Sequence, residues 1–335
     1  MSAATSTRDT DTLVSLRDVH VAFHAPGKVI EALNGVDLDV RRGETVALIG
    51  ESGSGKSVTL RTLMRLHPPK RTRVRGSIVL DGEDVLAMDA RRLAACRGPV
   101  VSMVFQEPLL ALDPVYTVGA QMIEMMRRHE GLSRQDARAR ALQLFERVRI
   151  PSPARRLDAY PHEMSGGMRQ RAMIALALSC NPKLLLADEP TTALDATVQI
   201  QILLLLRELQ QDLGLSIVFV THDIGAAAEI ADQVAVMYGG RIVEQGSMAQ
   251  LLSQPRHPYT QALLRSRAHG AMTKGARLQT IAGSPPDLAA LPPGCSFAER
   301  CTLAREACRQ SVPPLAALAP GHLARCLRLE ETATA

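Results

Sequence analysis

The sequence predicts an α/β protein: a parallel-sheet core, an antiparallel β subdomain before it, a helical subdomain inserted in it, and a small cysteine-containing extension after it. Three observations carry this prediction. Short apolar runs alternate with helical stretches, as the buried strands of a parallel sheet require. One such run, residues 45–49, passes directly into a glycine-rich turn and then a helix. Composition then shifts twice, to Arg-rich helical spacing at about 117–149 and to a Pro-rich stretch at 255–329 that holds four of the six cysteines.

At 335 residues the chain has room for one large domain and a smaller companion. Aromatic residues make up 3% and Trp is absent, so stacking platforms for single-stranded nucleic acid are scarce. The formal charge of +5 is spread along the chain, with Arg71, Arg73 and Arg75 the densest group; this reads as a solvated surface with a slight basic bias. No run approaches the ~18 apolar residues that span a bilayer. Residues 1–12, rich in Ser, Thr and Asp, lack the basic start and apolar stretch of a signal peptide and read as a disordered tail. The chain is therefore expected in the cytosol, reaching a membrane only through partners, with its cysteines reduced.

Taken in order, residues 13–23 (LVSLRDVHVAF) alternate apolar and polar and predict an amphipathic strand. A second strand is predicted at 36–40, beyond a long connection, and leads through Arg42-Gly43 into the buried strand 45–49. The glycine loop 50–55 and a helix over 57–66 follow. Residues 77–80 with Asp81-Gly82 predict a strand and tight turn, and 100–105 another strand. The stretch 117–180 predicts the helical subdomain, with Ser133 as a helix cap and an apolar helix between the Ser165-Gly166-Gly167 turn and Cys180. Parallel-type strands are predicted at 183–187, 216–220 and 234–238. The main domain thus spans 13–254 and the extension 255–335.

Gly50-Glu51-Ser52-Gly53-Ser54-Gly55-Lys56-Ser57 fits G-x-x-x-x-G-K-[ST] at every fixed position. Glycines let backbone N–H groups turn inward around a β-phosphate, and the following helix offers its positive end to the same anion. Lys56 supplies a point charge to the β- and γ-phosphates of ATP, and the Ser57 hydroxyl suits Mg²⁺. The run Leu184-Leu185-Leu186-Ala187-Asp188-Glu189 places two carboxylates at the end of a buried strand, where open α/β sheets hold ligands. Asp188 can hold the magnesium through its water shell. Glu189, pointing elsewhere because strand residues alternate, can polarise an attacking water.

Ser165-Gly166-Gly167, within 164–168, resembles the signature of ATP-binding-cassette ATPases, whose usual form is Leu-Ser-Gly-Gly-Gln. It precedes Asp188 at the family's interval. The resemblance implies a P-loop NTPase fold in the form of an ABC ATPase domain. It also implies that the bare helix N-terminus at Ser165, Gly166 and Gly167 serves a γ-phosphate held by the opposing subunit. Gln106 looks like the Q-loop glutamine that senses magnesium and touches the membrane subunit. Thr192-Ala193-Leu194-Asp195 resembles the D-loop, and His222 the switch histidine at the γ-phosphate. Phe23 resembles the A-loop aromatic that stacks on adenine, with Phe where Tyr is more usual.

The resemblance covers about 13–326 and narrows further. Gln106-Glu107-Pro108, Leu112-Asp113-Pro114, Tyr116-Thr117-Val118-Gly119, Tyr160-Pro161-His162 and Arg256-His257-Pro258-Tyr259-Thr260-Gln261 resemble the dipeptide and oligopeptide importer ATPases, a group that includes nickel and glutathione importers. Met168 in place of Gln resembles one of the two ATPase subunits of such systems. This implies a second ATPase subunit, a paralogue by the family pattern, with two transmembrane permease subunits and an extracytoplasmic substrate-binding protein. The chain would sit peripherally at the cytoplasmic face of the membrane, and the transported solute is not read from these residues.

Cys295, Cys301, Cys308 and Cys326 could hold an iron–sulfur cluster or zinc, or be reduced buried thiols; no C-x-x-C pair selects among these. The peptide-transporter group ends in a similar tail, for which the resemblance implies a [4Fe–4S] cluster, although Glu299-Arg300-Cys301-Thr302 departs from the group's Pro-Arg-Cys-Pro. Two other classes compare poorly. A soluble cassette ATPase acting on nucleic acid or ribosomes would carry two cassettes or a long coiled-coil insertion. A P-loop kinase or GTPase would leave the signature and His222 without a role.

Overall fold

The short apolar runs line up as one sheet with the glycine-loop strand near its middle. The computed structural model describes residues 11–192, 194–266 and 281–332. Residues 1–10 of the expected tail and Ala193 of the D-loop-like run lie outside the described residues, as do 267–280 and 333–335 of the extension. In chain order the strands are β1 (Thr12–Ala25), β2 (Lys28–Arg41), β3 (Thr45–Ile49), β4 (Thr72–Leu80), β5 (Glu83–Asp84), β6 (Val101–Val104), β7 (Leu184–Asp188), β8 (Ser216–Thr221), β9 (Gln233–Tyr238), β10 (Arg241–Ser247), β11 (Ala316–Ala319) and β12 (His322–Ala324). The order β9-β3-β8-β7-β6 is parallel throughout, and β10, β12 and β11 extend the same sheet antiparallel beyond β9. A second, antiparallel sheet runs β2-β1-β4-β5.

Successive strand side chains point to opposite faces, and each face of the main sheet has its own core. Val46, Leu48, Leu184, Leu186, Val218 and Val220 pack towards the antiparallel sheet and the Lys56–Leu63 helix. Ala47, Ile49, Leu185, Ala187, Ile217 and Phe219 pack towards the inserted helices and towards Tyr259 and Phe297 of the extension. All of β3 is buried, the condition under which a parallel strand reads as an unbroken apolar run.

The inserted helices Val118–Glu130, Arg134–Arg147 and Gly166–Leu178 start at Thr117, Ser133 and Ser165, whose hydroxyls accept the N–H groups of Ala120, Asp136 and Met168. Each cap satisfies a donor that the helix cannot satisfy itself. Ser133 acts as the sequence predicts.

Two stretches differ from the sequence expectation. Residues 24–35, expected as part of a long connection, complete a hairpin: Ala25 pairs with Lys28 across Pro26-Gly27, and Gly27 adopts φ +71. Their side chains mix charged and small residues without period-two alternation, so the strand is specified by pairing with β1 rather than by its own pattern. The sequence also gives no sign of β10 or of the β11–β12 hairpin. Glu244 pairs with Ala324, so the extension continues the core sheet. The join is polar and enclosed: fully buried Glu244 accepts the N–H groups of Arg256 and His257 at 2.7 and 2.8 Å and bonds His322 Nε2 at 2.9 Å. Only such saturation makes a buried carboxylate tolerable.

Candidate active site

The chemically marked residues collect at the carboxyl ends of the parallel strands. The loop 50–55 follows β3, Gln106 follows β6, Asp188 and Glu189 stand at the end of β7, and His222 follows β8. The loop, Gln106, Glu189 and His222 line a cleft of about 960 Å³ together with Phe23 and Ile30 and, from the extension, Leu263, Ser266, Ile281 and Leu288; Asp188 is buried beneath it and bonded to Ser57 of the lining.

The loop needs its glycines. Gly50 has φ +152, and a Cβ there would stand 2.2 Å from the Met237 carbonyl oxygen; Gly55 has φ +105 and would meet Leu33 Cδ2 at 2.8 Å. Lys56 is 5% exposed, and its ammonium donates to Gly50 O at 2.8 Å and Glu51 O at 2.9 Å. Burial lowers its pKa, opposed by the charges of Glu189, Asp188 and Glu51. The Ser57 hydroxyl donates to Asp188 Oδ1 at 2.7 Å. Asp188 is 2% exposed; burial raises its pKa, and the Ser57 bond and the Arg61 charge pull it back. One hydroxyl and one carboxylate oxygen in contact are hard donors of the kind magnesium accepts alongside phosphate and water, so the residues present fit that ion.

Glu189 is the residue on which the site converges. Its φ is +45, a left-handed conformation costing roughly 1–2 kcal/mol for a side-chain-bearing residue. Its N–H donates to Val220 O at 3.0 Å, which fixes the bend at the strand end. The Thr192 hydroxyl donates to Glu189 Oε2 at 3.0 Å, Gln106 Nε2 donates to the same oxygen at 3.4 Å, and His222 Nδ1 stands 3.5 Å from it. Three residues proposed from sequence thus meet at one carboxylate oxygen. Thr192, the fourth, has no sequence cue of its own beyond lying in the D-loop-like run.

Phe23 lines the cleft and meets His67 edge-on, ring centroids 5.1 Å apart. Ser165, Gly166 and Gly167 do not line it. They form the start of the Gly166–Leu178 helix, with Ser165 and Gly166 exposed and Gly167 half-buried, where a Cβ on Gly167 would lie 3.0 Å from Val198 Cγ1. Asp195 caps the adjacent Ala196–Leu213 helix, accepting from Val198 N at 3.0 Å. These two helix starts form a separate locus. The extension also reaches the loop: the Tyr259 hydroxyl accepts the Glu51 N–H at 2.8 Å, and Arg300 pairs with the Glu51 carboxylate. Sequence reasoning missed both, since 208 and 249 positions separate these partners.

A second groove, of about 360 Å³, lies between core and inserted helices, lined by Met64, Arg97, Phe105, Met125, Arg128 and Met173 among others. Cys295, Cys301, Cys308 and Cys326 all line one small pocket with Phe297, and all four are free thiols. Burial raises the pKa of Cys295, Cys301 and Cys326, that of Cys295 to about 11. Among the described residues no group of three or more His, Cys, Asp or Glu is placed to hold a metal ion, so the iron–sulfur and zinc expectations gain no support from the arrangement. Cys96 and Cys180 are buried core residues, as expected.

This cleft, with its phosphate loop, paired carboxylates and strand-end histidine, is that of a nucleotide hydrolase. The ABC transporter family model matches residues 33–192, and the model of the oligopeptide/dipeptide transporter C-terminal region matches 243–308. A protein of Brucella melitensis named as a peptide import ATP-binding protein is 50% identical over 332 residues, covering 96% of this chain and 98% of its own. One of Sinorhizobium fredii, named as a peptide ABC transporter ATP-binding protein, is 46% identical over 322 residues, with 96% of each covered. The dimeric structure of a bacterial ABC transporter cassette superposes with TM-score 0.63 at 30% identity, covering 70% of this chain and 98% of that one. A post-hydrolysis state of that cassette, bound to ADP and Pi, gives the same values. The chain belongs to the ATP-binding subunits of ABC transporters. Within them it carries the C-terminal region of the oligopeptide/dipeptide group.

Proposed function

We propose that this chain binds and hydrolyses ATP to drive a di- or oligopeptide importer, working peripherally on the cytoplasmic face of the membrane. The observation that carries the chemistry is the convergence of Gln106, Thr192 and His222 on Glu189 Oε2 beside Lys56, Ser57 and Asp188. Lys56 and backbone N–H groups of the loop 50–57, other than that of Glu51, which the Tyr259 hydroxyl holds, bind the β- and γ-phosphates. Ser57 and Asp188 would hold Mg²⁺, with Gln106 near it; when bound, the ion neutralises charge developing on the phosphates. Glu189 Oε2 accepts the proton of the attacking water, and Gln106, Thr192 and His222 orient that carboxylate. Phe23 and Ile30 offer an apolar wall to adenine.

Ser165, Gly166 and Gly167 stand outside their own cleft at a helix N-terminus, so the N–H groups of that helix start serve a nucleotide held by a second ATPase subunit, with Asp195 at the same face. The second subunit is a paralogue on the family pattern. The groove lined by Phe105 and Arg128 takes an element of a permease; two permeases and an extracytoplasmic binding protein complete the importer. No described helix is long and apolar enough to cross a membrane, so force must pass through such a contact. The iron–sulfur proposal rests on donor chemistry alone, four thiols around one apolar pocket. Iron with matching acid-labile sulfide, lost on Cys308→Ser, would carry it, and a metal-free folded protein would refute it.

The test is uptake of a labelled dipeptide by cells whose native chain is replaced by Glu189→Gln. Loss of uptake, restored by the native gene, supports the peptide importer. Unimpaired uptake, with no redundant peptide system present, moves the cargo to nickel, glutathione or another solute.

A further inference from the structure

We infer that Arg300 of the C-terminal extension is a positioning residue for nucleotide binding: it cancels the charge of Glu51 and holds that carboxylate away from the phosphates. The inference rests on the reading of the cleft as an ATP site and goes beyond it, because it makes the extension part of that site's machinery.

Glu51 is the second residue of the loop, and every polar atom it has is held. Its N–H donates to the Tyr259 hydroxyl, its carbonyl accepts from Lys56 Nζ, and its two carboxylate oxygens each accept from Arg300, at 2.6 and 3.0 Å. Three of these four contacts, two to the side chain and one to the backbone, come from the extension. The Arg300 side chain is 5% exposed, and all five of its N–H donors are used: Nε to Ala282 O, the Nη1 group to Glu51 and the Tyr238 hydroxyl, the Nη2 group to Glu51 and Ile281 O. Its guanidinium also lies 5.7 Å from the Tyr238 ring centroid. A lysine has neither the planar fork nor the donor count to span this set.

The electrostatics give the contact its direction. A carboxylate in a loop that cradles a polyphosphate repels the ligand, and Glu51 is close enough to Lys56 for its charge to bear on that ammonium. Arg300 makes the pair neutral, and the bidentate geometry aims the carboxylate at the extension. Removing the arginine would leave a half-buried negative charge beside the phosphates. Ile281, which accepts from Arg300, and Leu263, one turn along from Tyr259, themselves line the cleft, so the same segment that braces the loop also walls the nucleotide.

The experiment is a Mg-ATP titration of the full chain and four variants, each with its melting curve. Arg300→Met is expected to weaken binding by about tenfold or more, the low end for a close charge pair losing one partner. Glu51→Gln closes the cycle, and the double variant Glu51→Gln/Arg300→Met recovers most of the affinity lost in Arg300→Met, because neither charge is then left unpaired. A purely structural Arg300 would give a double variant as weak as the single, and that result, or native affinity in Arg300→Met, overturns the inference. Should Arg300→Met not fold, Arg300→Lys is read in its place against the same two outcomes. Lys56→Ala separates the two readings: a native chain that takes up no Mg-ATP fails the ATP site itself, whereas binding lost in Lys56→Ala and kept in Arg300→Met fails only this inference.

Discussion

The strand-end cleft and the four-cysteine pocket are both gatherings of ligand-type side chains, and they are wired in opposite ways. In the cleft the marked groups answer one another: Ser57 to Asp188, Lys56 to two loop carbonyls, and Gln106 and Thr192 as donors to one oxygen of Glu189, with His222 Nδ1 3.5 Å from it. In the pocket no thiol is matched with a charged partner among the described residues: Cys326 Sγ accepts only the Arg328 N–H, burial favours the protonated form of Cys295, Cys301 and Cys326, and none of the four sits in a group placed to hold an ion. Donor atoms sharing a space do not make a reactive site; charges held against their own preference by fixed partners do.

The largest expected effect breaks the wired region at its centre. Glu189→Gln should lower ATP turnover by about 10²–10⁴-fold, the range for losing a general base, while Mg-ATP binding persists because Lys56, Ser57 and Asp188 are untouched. Paired ATPase and nucleotide-titration measurements check this, and turnover close to native would remove Glu189 from the chemistry. Next in size, Gly50→Ala puts a Cβ 2.2 Å from Met237 O at φ +152. The loop must move, with loss of ATP binding and about 1–3 kcal/mol of stability, read by titration and thermal melting.

How far this was legible in the sequence follows from how far apart the partners lie. Residues 50–57, Asp188-Glu189, Gln106 and His222 each follow a short apolar strand, and parallel strands of one sheet bring their ends together. The hairpin 24–35 was not legible, because its residues lack alternation and its register is set by β1. Nor were β10 to β12, Thr192 or the Arg300–Glu51 pair. Each depends on a contact with a distant segment, and an arginine before a cysteine reads like any other arginine.

The join of extension and core predicts a smaller, pH-dependent effect. Complete burial pushes the His257 imidazole down from 6.5 to about 3, and its Nδ1 accepts the Tyr259 N–H, which requires the neutral ring. The unfolded chain takes up this proton below about 6.5 and the folded chain only near 3. The stabilisation is therefore fully present above 6.5 and is lost as pH falls through that window, by up to about 1.4 kcal/mol per pH unit. Acid unfolding of the native chain and of His257→Asn, which cannot protonate, checks it; the variant should show the shallower slope, and equal slopes would remove His257 as the cause.

The smallest effect belongs to the pocket, and it sharpens the comparison most. Cys301 is half-buried and carries its proton, so Cys301→Ser exchanges one small neutral side chain for another. If the thiols are only packing, stability should change by about 1 kcal/mol or less, and ATP turnover by no more than the preparation-to-preparation scatter. A ligand to a bound metal behaves differently. The free energy of metal binding is then also folding free energy, so losing a ligand should lower the melting temperature steeply and release iron or zinc. Calorimetry with metal analysis on native chain and Cys301→Ser separates the two cases. A small shift in a metal-free protein leaves the cleft as the reactive site and the pocket as core, whereas a large shift with lost metal would show that a set of thiols can be a site before its geometry has closed around the ion.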